Sequence, residues 1–239
     1  MLRSASESRW SYCQANIAGI VELGSWRGRG SPGLRPHFHD ETQIVMVLSG
    51  SRVFLIDGTT VTVAAGQAAC IPAGMLHVPL ATTEDETICL NAYIPAGGSA
   101  QSLEVFDIQY GRSSAGRTSG DEFLRVRDKI ASHVALRPTV KADQEKLRAT
   151  LTNSFGRIGE IAASLGQSRE GFSRLVTREL GIAPHAFRVL TRLNMARRLL
   201  REGQPIAAAA ADTGFADQSH LTRLFRRTFG TTPGLYWHG

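Results

Sequence analysis

Three histidines in the first third of the chain have the side chains and the spacing that a ligand site needs. His37 and His39 stand just before an apolar segment, Gln43 follows them, and His77 comes after a Pro-Ala-Gly turn. Side chains two positions apart on an extended strand share a face, so His37 and His39 can point into one pocket. Three imidazoles and an amide could hold a divalent metal such as Zn²⁺ or Ni²⁺. The same side chains could instead hydrogen-bond an organic effector or brace the fold, and the sequence leaves these readings open.

A second set of polar side chains occupies two short segments in the last third of the chain. Such side chains can bond base edges or phosphates when their helix lies in the major groove of DNA. The residues are Arg169, Glu170, Ser173 and Arg174 in the first segment and Gln218, Ser219, His220, Thr222 and Arg223 in the second. For Arg174 and Arg223, an intramolecular salt bridge at a helix junction is the alternative role.

These two segments belong to an imperfect internal duplication. Gly166 in the first copy corresponds to Gly214 in the second, 48 residues later. Each copy has the order helix, Gly-containing turn, helix, Gly and Pro, which is typical of a helix-turn-helix unit. Ser168 and Asp217 are predicted to cap the second helix of each unit, because their side chains accept hydrogen bonds from free backbone N–H groups.

One long amphipathic segment joins the two copies. From Pro184 to Glu202 the apolar residues form a stripe, and arginines that include Arg197 and Arg201 are expected on the other faces. A helix of about 18 residues is about 27 Å long. Such a helix could hold two DNA-reading helices about one duplex turn, roughly 34 Å, apart.

The N-terminal part has the pattern of short β-strands. Between about Gly33 and Pro95, apolar runs alternate with turn residues, and Asp57-Gly58 between two such runs indicates a tight hairpin. Several short strands at this spacing predict an antiparallel barrel or sandwich rather than a parallel sheet. With the helical second half, the predicted fold class is α+β in two domains, a β-barrel followed by an all-α domain.

The chain is predicted to divide into three regions. They are an effector-sensing β-domain at 1–100, a linker at 101–140, and a helical DNA-binding domain at 141–239 with units at about 158–181 and 206–230. The linker contains a predicted helix over 121–134. Its apolar face is a candidate dimer contact, although packing against its own barrel would cover that face equally well.

The positive charge is concentrated in the helical region. Residues 141–239 carry 15 basic and 8 acidic side chains, whereas residues 1–140 carry 12 basic and 13 acidic ones. A basic segment attracts a polyanion, since binding releases the counterions condensed on it. Charge alone is equally consistent with a solvated basic surface.

Residues 158–237 resemble the DNA-binding domain of the AraC/XylS regulator family. The matching residues include Ile161-Ala162, Gly166, Ser173-Arg174, Gly181, Pro184, Pro205-Ile206, Gly214-Phe215, Asp217, Gly230, Thr232-Pro233 and Tyr236. The histidine region resembles the two cupin motifs, with Gln43 where cupin enzymes usually carry Glu and with no Asn after His77.

The two resemblances together imply a transcription regulator whose cupin or jelly-roll-like barrel senses a small ligand or metal. They imply sequence-specific binding to promoter or operator DNA through the nine polar residues named above. Homodimerisation is common in the family, and contact with RNA polymerase follows if the protein is an activator.

Two other functions compete with this interpretation. A cupin dioxygenase or isomerase would use the same histidines, but the missing Glu and the attached helical half count against it. A helical half that binds protein rather than DNA is the second alternative. Apart from the histidines, the sequence shows no Ser/His/Asp arrangement, phosphate-binding loop or paired carboxylates that would indicate catalysis.

The distribution of apolar residues leads us to expect a cytoplasmic protein. No stretch approaches the roughly 20 apolar residues of a membrane span, and the first ten residues lack the apolar centre of a signal peptide. Cys13, Cys70 and Cys89 are odd in number and widely spaced, which argues against a disulfide framework.

Overall fold

A computed structural model describes residues 9–15, 19–96, 103–108, 142–154 and 156–237. The first three ranges form antiparallel β-sheets, and the last two form a helical domain. This arrangement confirms the predicted two-domain α+β fold. Among the described helices, none is both long enough and apolar enough to cross a membrane.

The β-domain is built from strands that pair only antiparallel. They are β1 Arg9–Gln14, β2 Glu22–Ser31, β3 Thr42–Ser49, β4 Ser51–Ile56, β5 Thr59–Ala64, β6 Gln67–Ile71, β7 Val78–Leu80, β8 Thr82–Ile94 and β9 Glu104–Asp107. The larger sheet has the order β1-β2-β8-β3-β6-β9, and the smaller one has the order β5-β4-β7. The sheet reaches past residue 100, because β9 pairs with β6 in a region that the sequence analysis assigned to the linker.

The predicted hairpin between β4 and β5 is present. Asp57 and Gly58 have φ angles of 48° and 75°, so both turn residues are left-handed. Such a turn follows the natural twist of two paired strands, and only residues that tolerate positive φ can form it. The alternation of buried and exposed side chains is clearest on β2, whose buried positions begin with Glu22.

The helical domain contains seven described helices. They are α1 Ala142–Asn153, α2 Ile158–Ser164, α3 Arg169–Leu180, α4 Pro184–Arg201, α5 Ile206–Asp212, α6 Gln218–Phe229 and α7 Pro233–Trp237. Helices α2 and α3 form the first helix-turn-helix unit, α5 and α6 form the second, and α4 joins them. The linking helix has 18 residues, as its amphipathic pattern predicts.

Small residues and caps set the geometry of both units. Ala162 and Ala210 are fully buried where the first helix of each unit packs. Side chains cap both second helices, because Ser168 accepts from the Gly171 N–H at 3.0 Å and Asp217 from the His220 N–H at 2.6 Å. Both predicted caps are therefore confirmed.

The helical domain packs directly on the β-domain. The Tyr12 hydroxyl donates to the Phe229 carbonyl at 3.0 Å, and the Asn194 amide donates to the Phe38 carbonyl at 2.9 Å. Apolar residues of both domains belong to one continuous core cluster. The predicted dimer-contact helix over 121–134 lies outside the described residues.

The expectation for Arg197 was wrong. This side chain is only 1% exposed, although the sequence placed it on a face away from the apolar stripe. The reason is that Arg197 lies on the buried stripe itself, one turn from Leu193 and Leu200, where it meets Glu22 of the β-domain. An amphipathic pattern read from one helix cannot reveal a polar partner surface contributed by another domain.

Replacing Asp217 by Ala tests the cap of α6. We expect Asp217→Ala to lower the free energy of unfolding by about 1 kcal/mol, because one N–H at the helix start loses its acceptor. Urea unfolding followed by circular dichroism measures the change. Asp212→Ala is the control, since this exposed aspartate ends α5 and caps nothing. An equal loss in the two variants would contradict the capping role.

Candidate functional site

The three predicted histidines meet in one buried cluster. Backbone hydrogen bonds in both directions, of 3.0 and 2.9 Å, join His37 to His77. The ring of His37 lies 4.4 Å from that of His77 and 4.9 Å from that of His39. One ligand nitrogen of each histidine can be chosen so that all three lie within 4.8 Å of one another. The structure therefore brings together the imidazoles that the sequence singled out.

Hydrogen bonds fix which nitrogen of each imidazole carries the proton. His37 Nδ1 lies 2.7 Å from the Arg35 carbonyl, and His77 Nδ1 lies 3.0 Å from the Met75 carbonyl, so each Nδ1 must be the N–H. His39 is the reverse case, because its Nδ1 lies 2.8 Å from the Arg197 guanidinium, which can only donate. A neutral His39 therefore carries its proton on Nε2.

Burial keeps all three imidazoles neutral near pH 7. It lowers the pKa of His37 and His39 well below the ordinary value, and the charge of Arg197 lowers that of His39 further. Burial also lowers the pKa of His77 to about 4. The cluster thus offers two nitrogen lone pairs and one N–H rather than three lone pairs.

This set of donors does not fit a three-histidine metal centre while the domains are docked. A metal needs a lone pair from each imidazole, and the Nε2 of His39 is committed as an N–H. If the proton moved from Nε2 to Nδ1 of His39, that N–H would face an N–H of Arg197. A nearby guanidinium charge further disfavours a divalent cation.

Gln43, the fourth predicted site residue, also lies beside the histidines. Its amide nitrogen donates to Asn91 Oδ1 at 3.2 Å, and its Oε1 has no hydrogen-bond partner. Gln43, His37 and His39 line a cavity of about 10 Å³. That volume holds about one water molecule, so an organic effector does not fit without movement of the cavity wall.

A buried ionic cluster connects this site to α4. Arg197 Nη2 lies 2.7 Å from Glu22 Oε1, and Arg201 Nη1 lies 3.0 Å from Glu22 Oε2. Glu41 pairs with Arg201 and lies 3.5 Å from Arg197, and the Tyr236 hydroxyl donates to Glu22. Two acids of the β-domain are thus neutralised by two arginines of the helical domain.

The members of this cluster hold one another in the charged state. Burial alone would lower the pKa of Arg197, but the carboxylates of Glu22 and Glu41 raise it above the ordinary value. Burial alone would raise the pKa of Glu41, but Arg197 and Arg201 hold it below the ordinary value. Because Arg197 also donates to His39, the ionic cluster fixes the tautomer at the histidine site.

Sequence reasoning missed Glu22 and Glu41. Glu22 carried a usable signal, because it begins a strand at a position in phase with the buried apolar residues of β2. A charged residue in that phase requires a partner from another element. The identity of the partner, on a helix 175 positions away along the chain, could not be read from the local pattern.

The nine predicted DNA-contact residues lie on α3 and α6. Ser173, His220 and Thr222 are half-buried, and the other six are exposed: Arg169, Glu170, Arg174, Gln218, Ser219 and Arg223. Within the described residues, Arg174 and Arg223 form no ion pair, so the bracing role considered for them has no partner there. Both guanidinium groups are free to meet an external anion.

A basic depression of about 770 Å³ lies beside the first unit. Its charged lining residues are Arg157, Glu160, Arg169, Arg188 and Arg192, with His185 next to them. Four cations and one acid give this surface a net positive charge. Arg157, Arg188 and Arg192 were not among the predicted contacts, although Arg188 and Arg192 lie on the arginine-rich linking helix.

Two domain families match the chain. A helix-turn-helix domain matches residues 161–238, and a cupin domain matches residues 27–93. The transcriptional regulator LumQ of Photobacterium leiognathi, named as probable, is 24% identical over 84% of this chain and 90% of its own length. The transcriptional activator NphR of Rhodococcus is 41% identical over 39% of this chain and 28% of its own length.

Crystal structures of ToxT from Vibrio cholerae share the fold. One aligns with a TM-score of 0.58 at 13% identity, over 95% of this chain and 98% of ToxT. Another, with an unsaturated fatty acid bound, aligns with a TM-score of 0.57 at 12% identity, over 98% and 97% of the two chains. At this identity the likeness concerns the arrangement of the two domains alone.

Replacing Glu22 by Gln tests the buried ionic cluster. We expect Glu22→Gln to cost about 3–5 kcal/mol in the free energy of unfolding, because two buried guanidinium groups lose a shared carboxylate. Chemical denaturation measures the change. Glu86→Gln is the matched control, since Glu86 pairs with Arg27 at the exposed surface, where a pair contributes at most about 1 kcal/mol. Similar losses in both variants would contradict the cluster's role.

Proposed function

We propose that this chain, an AraC-type transcription regulator with a cupin domain, binds promoter or operator DNA. In this proposal α3 and α6 read the bases in the major groove. Arg169, Glu170, Ser173 and Arg174 are the contacts from α3. Gln218, Ser219, His220, Thr222 and Arg223 are those from α6. Arginines at the first unit's basic depression hold the phosphate backbone.

The observation that carries this proposal is the exposure of both reading helices in the docked protein. Six of their nine polar residues face solvent while the opposite faces are buried. A helix needs an open polar face to reach base edges in a groove. The surplus of basic side chains in 141–239 gives the same surface long-range attraction to DNA.

The β-domain is proposed to control DNA binding through a small effector. Phe229, the last residue of α6, lies with its ring 5.8 Å from His39 and 6.0 Å from His37. A molecule that enters the histidine site therefore meets the end of a DNA-reading helix. The fatty acid bound by the fold neighbour ToxT supports an organic molecule as effector.

The rest of the proposal concerns cellular context and chemistry. The protein is proposed to act in the cytoplasm as a homodimer, with RNA polymerase as a partner if it activates transcription. It is proposed to have no enzymatic activity, which the names of its relatives support. Gln43 at the position of the cupin Glu supports the same conclusion, since an amide adds no negative charge for a metal.

Replacing Arg174 or Arg223 by Ala tests the DNA interface. We expect each variant to weaken specific binding by about 1–3 kcal/mol if the side chain reads a base. Electrophoretic mobility shift with the operator and with unrelated DNA separates the cases, since a phosphate contact weakens both equally. Arg29→Ala is the control, because it removes the same charge from an exposed site on β2. Unchanged affinity in both helix variants would refute the proposed interface.

The divalent metal that the sequence predicts at His37, His39 and His77 does not fit the docked site, and its occupancy can be measured. Because Arg197 fixes His39 as an Nε2–H, we expect protein purified without chelators to contain far less than one equivalent of Zn²⁺ or Ni²⁺. Elemental analysis by mass spectrometry gives the ratio. One tightly bound equivalent that His37→Ala removes, while His185→Ala at the surface retains it, would establish the metal site instead.

A further inference from the structure

Arg52 is a buried cation without a counterion among the described residues. Its residue is 2% exposed on β4, and its guanidinium lies 5.4 Å from the Trp10 ring and 5.3 Å from the Phe54 ring. Neither Nε nor Nη1 has a hydrogen-bond partner, and Arg52 forms no ion pair with any residue in the described part of the chain. An arginine keeps its charge at neutral pH, so it is buried at a large cost in solvation.

The cavity next to Arg52 has a surplus of hydrogen-bond donors. Arg52 Nε and Nη1, Trp10 Nε1 and His39 Nε2 lack acceptors, and all three residues line the 10 Å³ cavity. His39 Nε2 belongs to this set because Arg197 occupies the other ring nitrogen. Against these four donors, the lining offers the Oε1 of Gln43 and the Nε2 lone pair of His37, whose Nδ1 donates to the Arg35 carbonyl.

We propose that this cavity is the effector site and that it binds the carboxylate of a small organic acid against Arg52. A carboxylate supplies the missing negative charge and up to four acceptor positions for N–H donors. The planar guanidinium matches a carboxylate in two parallel hydrogen bonds. A divalent cation would instead meet an unpaired positive charge.

The apolar part of the acid takes the place of Phe229. The cavity wall is largely aromatic, with Tyr12, Phe54, Tyr93 and Phe229 among its residues, and Phe229 alone of these comes from the helical domain. Because the cavity is closed to anything larger than a water molecule, an organic body can enter only where a side chain leaves. Phe229 can leave with α6, whereas the other three are held in the sheets.

This inference rests on the ligand-controlled regulator proposed above and names the chemical class of its effector. It also predicts how binding of the acid affects the position of α6. The acid and the docked position of Phe229 exclude each other, so the acid favours an arrangement in which the end of α6 has moved away from the histidine site. A ligand shifts such an equilibrium only by its different affinity for the two arrangements.

Titration calorimetry on the full chain without DNA tests the site. The probes are benzoate and octanoate, with benzamide as the neutral counterpart of benzoate. We expect saturable binding of at least one carboxylate and none of benzamide. Arg52→Met should weaken carboxylate binding by about tenfold or more, as expected for the loss of a charged hydrogen bond. It should also raise the Tm of the unliganded protein, because an unpaired buried charge is removed.

Two further variants sharpen the result. Arg29→Met, which removes an exposed charge from β2, should alter neither the affinity nor the Tm. Phe229→Leu should tighten carboxylate binding, because a smaller side chain competes less for the cavity. An unchanged or weaker affinity in Phe229→Leu would overturn the displacement of this side chain.

Three other outcomes overturn the proposal. The first is that neither carboxylate binds the wild-type protein. The second is that binding survives Arg52→Met, which would place the ligand elsewhere, such as in the apolar groove between the two helix-turn-helix units. The third is a lower Tm of Arg52→Met, which would make Arg52 a structural contact of the aromatic rings. Mobility shift of operator DNA by the same wild-type sample tests the DNA proposal independently, since the titration contains no DNA.

Discussion

The pairing of Glu22 and Glu41 with Arg197 and Arg201 is the constraint on which the rest of the structure depends. Four charges are withdrawn from water, and their desolvation is offset only while both domains stay in contact. The cluster therefore also fixes the position of α4 relative to the β-domain. A shift of α4 by a few ångströms would leave carboxylates and guanidinium groups buried without partners.

The local features of this chain were predictable from its sequence, and the contacts between domains were not. Asp57-Gly58, Ser168 and Asp217 act on backbone groups within three residues, so their roles follow from residue type and position. The meeting of His37, His39 and His77 followed from motif spacing. Arg197 was misassigned and Glu22 was overlooked, because each is explained only by the other across 175 positions. The cavity size, too, depends on Phe229 and could not be read from the strands.

The histidine site is shaped by what surrounds it more than by the histidines themselves. Three imidazoles within reach of one point are the ordinary signature of a metal centre. Arg197 reverses the tautomer of His39, and Arg52 adds a positive charge that has no ion-pair partner in the described part of the chain. The three imidazoles therefore offer two lone pairs and one N–H, and they lie beside the N–H groups of Arg52. The chemistry of a site follows from its hydrogen-bond network, and an inventory of residue types is not enough to assign it.

Helix α6 joins the two halves of the proposed mechanism in one rigid element. Its 12 residues span about 18 Å, with the proposed DNA contacts near its start and Phe229 at its end. A short helix moves as a unit, so displacing Phe229 must tilt or shift the residues that we propose to contact DNA. No chain of intermediate side chains is needed to carry the effect. The free energy available for the switch is then the difference between the binding free energies of the acid for the open and the docked arrangements. In the docked arrangement Phe229 fills the cavity and leaves almost no room for the acid.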